Sequence, residues 1–165
     1  MAGTGRFRAE DLSCPLSTTV RHVGEWWTLL ILHDAFDGYT RFDEFQRNLR
    51  ISSSMLTTRL KTLVDDGLLE RTQYQDKPPR YEYVLTELGR SLRPVIITLA
   101  AWGNERLAAG ERTMILVDAE SGEEVEPVVV DRVSGRRIDG PEYVFTAGPA
   151  ASEAMRRRYD PPRTL

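Results

Sequence analysis

The sequence predicts an α+β fold, mainly helical, in which paired helices lead into a two-stranded hairpin, a long apolar helix and a small antiparallel β appendage. Three observations carry this prediction. The stretch from Ser52 to Tyr83, SSSMLTTRLKTLVDDGLLERTQYQDKPPRYEY, opens on a serine cap and closes its helix at Asp65-Asp66-Gly67. It then places two β-rich runs, Leu68–Tyr74 and Tyr81–Leu85, around the polar turn Gln75–Arg80. Next, Leu88, Leu92, Val95, Leu99 and Trp102 recur at spacings of four and three, the pattern of a helix-pairing seam. Finally, past Gly110 the chain changes to short β-rich runs separated by Asp/Ser/Gly turns.

The N-terminal stretch 1–13 is rich in Gly and charge, with only Phe7 and Leu12 to bury, and is expected to be a flexible arm. No apolar core follows Arg6 and Arg8, so no signal peptide is expected. Cys14-Pro15 opens the first helix, with Pro15 in a first-turn position where its missing N–H costs nothing. Cys14 has two readings: a small buried hydrophobe, or a thiol made reactive by a helix N-terminus. It is the one cysteine, which excludes an intramolecular disulfide.

After Gly24 the run Glu25–Phe36 is almost wholly apolar, and Trp27, Leu30, Ile31 and Phe36 are expected at the centre of the core. His22 and His33 have no partner at metal-ligand spacing in the sequence, and no metal or cofactor is expected. Arg41-Phe42 predicts a one-rung strand, and Asp43 a cap for a short helix over Glu44–Arg50 with Phe45 and Leu49 inward.

That helix and the Ser52/Ser53 helix make a helix-turn-helix pair, and the hairpin after them makes a wing. On the second helix Leu56, Leu60, Leu63 and Val64 share one face, with small polar groups opposite. Short hydroxyls beside a lysine, near a helix N-terminus that favours anions, suit a DNA major groove. The residues assigned to DNA are Ser53, Ser54, Thr57, Thr58, Arg59 and Lys61 on this helix, with Arg41 and Arg47 before it and Lys77 and Arg80 on the wing. Arg59 lies on a flank, where an acidic side chain of the fold competes for it. The second helix holds no Asn or Gln to read adenine, so hydroxyls, methyls, water and DNA shape are expected to carry specificity.

From Cys14 to Trp102 the chain resembles the HxlR-type regulators, relatives of the MarR group. The resemblance is carried by Cys14-Pro15, Gly24-Glu25-Trp26-Trp27-Thr28-Leu29-Leu30, Arg41-Phe42-Asp43-Glu44-Phe45, Ile51-Ser52 through Leu63, Gly67-Leu68-Leu69-Glu70-Arg71, Pro78-Pro79-Arg80-Tyr81-Glu82-Tyr83 and Leu85-Thr86-Glu87-Leu88-Gly89-Arg90. It implies a winged helix-turn-helix and a dimeric bacterial transcription regulator that binds double-stranded DNA. It also implies that a cysteine near position 14 senses oxidants or electrophiles in some members. Trp26 departs from the family pattern, which usually has Lys or Arg there.

The seam residues Leu88, Leu92, Val95, Leu99 and Trp102 are assigned to dimerisation, on a helix running from Glu87 to about Ala109 and kinked at Pro94. The predicted organisation is an arm over 1–13, a DNA-binding and dimerisation domain over 14–110, and an appendage over 111–165. The appendage is expected to form a small sheet over 112–146, with turns at Asp118–Gly122 and Asp131–Gly135, and a terminal helix over Gly148–Arg158.

Charge bounds the function. The 165 residues carry a formal net charge of −3. Residues 40–95 hold ten Lys/Arg against eight Asp/Glu, +2, leaving −5 elsewhere. A mildly basic reading head on an acidic body is compatible with DNA. No phosphate loop, nucleophile elbow or paired-histidine motif appears, so an enzyme is not expected. The longest apolar runs fall short of a membrane span, and cytoplasm is the expected location. The expectation is therefore a homodimeric repressor of an inverted-repeat operator, controlled by an oxidant acting on Cys14 or by a small-molecule effector. The alternative is a protein-interaction module that uses the winged helix as scaffold and the C-terminal sheet as docking surface.

Overall fold

A computed structural model describes residues 14–159. The predicted arm lies outside them. The described chain forms two compact units, Arg21–Val125 and a smaller one made of 14–20 with 126–159.

Helix α1 (Pro15–Val23) starts at the proline, and α2 (Trp26–Phe36) follows after Gly24. Helix α3 (Phe42–Leu49) and helix α4 (Ser53–Asp65) form the helix-turn-helix pair, joined through Arg50 in the left-handed conformation at φ 52°. The wing is β1 (Leu69–Asp76) paired antiparallel with β2 (Pro79–Leu85). Helices α5 (Glu87–Arg90) and α6 (Arg93–Asn104) come next, then a 3-10 turn at Ala109–Glu111 and helix α7 (Glu153–Tyr159).

The α4 boundaries are those the sequence predicts, and for the predicted reasons. Ser52 Oγ accepts a hydrogen bond from the Met55 N–H at the start of the helix. At the other end Gly67 takes φ 70°, its N–H bonds to the Val64 carbonyl, and the Leu68 N–H bonds to the Leu63 carbonyl. This Schellman closure turns the chain straight into β1 and buries Leu63 and Leu68 together.

Helix α3 starts earlier than predicted. Its cap position is Arg41, not Asp43, because the Glu44 carboxylate reaches back to accept from the Thr40 and Arg41 N–H groups at 3.1 and 2.9 Å. Those hydrogen bonds hold the Glu44 carboxyl below the usual carboxylate range. Arg41 does make a single bridge, to Glu82 on β2, as the one-rung strand requires.

The core of the larger unit is Ile31, Leu32, Phe45, Leu56, Leu60, Leu63 and Leu69, all essentially sealed from water. On α2 this is a shift of register from the predicted centre. Ile31 is buried as expected, but Leu32 and Thr28 accompany it, Trp27 and Phe36 are half-buried, and Leu30 faces outward. A helix apolar on every side leaves its buried stripe undetermined until its neighbours are placed. Asp34, also on α2, is buried at 7 % exposure, and its Oδ2 has no hydrogen-bond partner among the described residues. Burial pushes its carboxyl above the usual range, against the opposing pull of a hydrogen bond from Asn48.

The single long helix expected after the wing is two helices. The chain turns at Ser91 and Leu92, and Pro94 falls in the first turn of α6. There its ring displaces no helical hydrogen bond, so the kink and its cost vanish. Thr86 caps α5 as predicted, its Oγ1 accepting from the Gly89 N–H at 3.0 Å and donating to the Gly67 carbonyl at 2.6 Å.

The predicted sheet over 112–146 is reduced to its turns. Among the described residues the only sheet is the wing, and the later segment holds two single bridges, Val117 with Glu124 and Val130 with Arg137. Both turns form as expected, with Gly122 at φ 71° and Gly135 at φ 69°. In the first, the Asp118 carboxylate accepts from the Glu120 and Ser121 N–H groups; in the second, Asp131 accepts from the Ser134 N–H and hydroxyl. These bonds hold both carboxyls below their ordinary range. Asp-x-x-Ser-Gly is thus a complete local turn signal, whereas ladder length depends on partners that the turn does not supply. The terminal helix starts at Glu153, five residues after the predicted Gly148.

Candidate nucleic-acid interface

The exposed face of α4 carries Ser53, Ser54, Thr57, Thr58 and Lys61 together, as the sequence reading places them. Their chemistry is more specific than a generic polar face. Thr57 and Thr58 donate their hydroxyl hydrogens to the Ser53 and Ser54 carbonyls at 2.8 and 3.0 Å. Each therefore turns a methyl group and acceptor lone pairs outward rather than a donor. Lys61 forms an ion pair with Asp65 four residues on. Both partners are largely in solvent, where such a pair contributes little and the ammonium can move to a phosphate.

Arg59 does not join this face. Its guanidinium lies 2.9 Å from the Glu25 carboxylate ahead of α2, and the side chain is mostly covered. Of the two partners the sequence offers Arg59, DNA or an acidic side chain of the fold, this structure pairs it with the acidic one.

Among the described residues Arg47 on α3, Lys77 at the wing tip and Arg80 on β2 make no ion pair and stand exposed. Arg41 is anchored differently. Its guanidinium sits 4.9 Å from the centre of the Tyr74 ring, and Tyr74 is the extra residue of a bulge between Gln73 and Gln75. A second stack, Arg71 at 3.5 Å over Tyr81, stiffens the same hairpin. The wing is longer than predicted, since β1 runs to Asp76 and β2 begins at Pro79, so Lys77 stands at the turn itself.

The sequence reading missed one residue of the site. Gln46 of α3 donates from Nε2 to Ser53 Oγ at 2.7 Å, across the turn of the pair. A search confined to α4 for amide side chains could not find it; the seven-residue spacing over the helix-turn-helix connection is the signal that would have.

The seam residues divide. Leu92, with Ile96, packs on the core of its own unit. Leu88, Val95, Leu99 and Trp102 are exposed, and no residue of α6 is buried. Cys14 is half-buried, with the Ser17 N–H 3.3 Å from its sulfur. Hydrogen bonding from the Ser17 side chain and backbone holds the thiol below its ordinary pKa. His22 Nδ1 lies 3.2 Å from the Asp66 carboxylate, and no group of His, Cys, Asp and Glu suited to a metal ion occurs among the described residues.

With paired helices, exposed α4 face and wing in place, comparison with known proteins decides the class. The HxlR-like helix-turn-helix family matches residues 22–111. The chain belongs to that family. It is 39 % identical to the HTH-type transcriptional regulator Rv3095 of Mycobacterium tuberculosis over 145 residues, covering 87 % of this chain and 89 % of that one. The Pseudomonas aeruginosa protein PA1374, assigned as a transcription factor, superposes with a TM-score of 0.67 at 44 % identity, covering 88 % of this chain and 99 % of its own. The oxidised form of the redox regulator HypR superposes with a TM-score of 0.54 at 36 % identity, over 58 % of this chain and all of its own. The HxlR-like chain is thus a transcriptional regulator with a winged helix-turn-helix fold, and not an enzyme. No helix among its described residues is long and apolar enough to cross a membrane.

Proposed function

We propose that the protein is a cytoplasmic homodimeric repressor whose α4 helices enter successive major grooves of an inverted-repeat operator. One observation carries this reading: Arg47, Lys77 and Arg80 stand exposed and, among the described residues, without ion-pair partners on the elements that flank the hydroxyl face of α4. Exposed cations beside a face of small polar groups are the arrangement that phosphate positioning and base readout together require. The exposed apolar row on α5 and α6 supports dimerisation, and two reading heads on one dimer fix the spacing of half-sites.

Control is assigned to Cys14, whose lowered pKa favours the reactive thiolate, or to a small effector that favours one spacing of the reading heads. The similarity to HypR supports the thiol route. A gel-shift titration against DNA upstream of the protein's own gene, reduced and after mild oxidant, with Cys14→Ser in parallel, tests both. Specific binding that oxidant abolishes only in the presence of Cys14 establishes the thiol switch, and binding indifferent to oxidant moves control to an effector. Arg80→Ala should weaken binding about uniformly across sequences and lower the salt slope by about one. Absence of specific, salt-sensitive binding would leave the interaction-module reading, for which the exposed Val128–Val130 and Phe145 supply an apolar surface.

A further inference from the structure

We infer that Gln46, a residue of α3 and not of the recognition helix, reads an A·T base pair in each half-site, held in place by Ser53. This rests on the DNA-binding reading above. Gln46 lies one helix away from the face that enters the groove, yet its side chain spans the connection and meets Ser53, the first residue of α4, at 2.7 Å. In a helix-turn-helix the N-terminal residues of the second helix are those nearest the base edges.

The hydrogen-bond inventory decides the base. A glutamine amide has two N–H donors and one carbonyl acceptor. One N–H of Gln46 goes to Ser53 Oγ, which leaves one N–H and the Oε1 acceptor. Adenine presents N7, an acceptor, beside the N6 amino donor in the major groove, and a glutamine pairs with both at once. Guanine presents two acceptors and would leave Oε1 facing another acceptor. Thr57 and Thr58 do not compete for this role, because they have given their hydroxyl hydrogens to the helix. Ser53 acts as the positioning residue: its bond removes the rotamer freedom that a lone glutamine would lose on binding.

Selection of duplexes from a randomised library, using the full chain, tests the assignment. The wild type should enrich one A·T pair at a fixed position of each half-site. Gln46→Ala should flatten that position alone, lowering discrimination there by about 5- to 100-fold and leaving the other positions unchanged. Gln46→Glu, which keeps the side-chain length, should move the preference toward cytosine, whose N4 amino group donates to a carboxylate. Ser53→Ala should blur the same position less severely. If Gln46→Ala weakens all sequences equally, or alters none, the residue is a strut or a phosphate contact and the assignment falls. If the wild type enriches no sequence, the DNA-binding reading falls first and this assignment with it.

Discussion

Arg59 and Glu25, thirty-four residues apart, are joined by an ion pair of 2.9 Å that ties the recognition helix to the start of α2. The arginine side chain is mostly covered while the glutamate is largely exposed, so the pair is anchored by the arginine stem as much as by charge. Replacing Arg59 with Ala should lower stability by about 1 kcal/mol and leave the salt slope of DNA binding unchanged. Urea unfolding and a salt titration of the same variant check this. A fall of one in the salt slope would return Arg59 to the phosphate contacts.

Gly89 is needed for lack of a side chain. A Cβ there would lie 2.1 Å from the Leu68 carbonyl oxygen, a backbone atom that cannot swing aside. The contact sits where Thr86 pins α5 to the end of α4 through Gly67 and Leu68. Gly89→Ala should therefore cost about 1–3 kcal/mol, measured by urea unfolding, despite the better helix propensity of alanine. Equal or greater stability in the variant would show that this junction opens readily.

The winged helix was legible in the sequence because its signals are local. Ser52, Gly67 and Thr86 mark ends through bonds to residues within five positions, and the leucines of α4 have a single buried face. What stayed hidden depends on partners distant in sequence. Leu32 rather than Leu30 is buried because it packs in one cluster with apolar side chains of α3 and α4, and Arg59 turns to Glu25 because that carboxylate is within reach. Gln46 enters the site only when the turn brings α3 and α4 together. The hairpins of 112–146 failed in the opposite sense, since perfect turn chemistry at Asp118 and Asp131 closes a loop without extending a ladder.

Asp34 gives stability a pH dependence opposite to the usual carboxylate. Burial raises its folded pKa above the unfolded value of about 3.9. Its contribution is fully present below the unfolded pKa and is lost as pH rises through the folded one. Asp34→Asn removes the buried charge and keeps a partner for Asn48. The variant should match wild type near pH 4 and exceed it near pH 7. Glu44, with its lowered pKa, acts in the opposite direction in both proteins and cancels in the difference. Urea midpoints across this range check the claim; a variant weaker than wild type at pH 7 would mean that the ionised carboxylate is stabilised in place.

The exposed row of Leu88, Val95, Leu99 and Trp102 can be separated experimentally from the fold that supports it. Leu92 and Ile96 hold α6 to its own core, whereas Leu99 is 45 % exposed and Trp102 57 % exposed. Trp102 has the Arg106 guanidinium 5.0 Å from its ring centre. Placing a charge at an exposed apolar site costs a lone subunit little, but burying that charge at an interface without a partner costs several kcal/mol. Leu99→Glu should therefore leave the melting transition of the subunit intact while light scattering shows the mass falling from two chains to one. Operator affinity should fall with it, because a single reading head loses the linkage between half-sites. A variant that stays dimeric would place the interface on another face, and one that unfolds outright would show that Leu99 packs within its own chain.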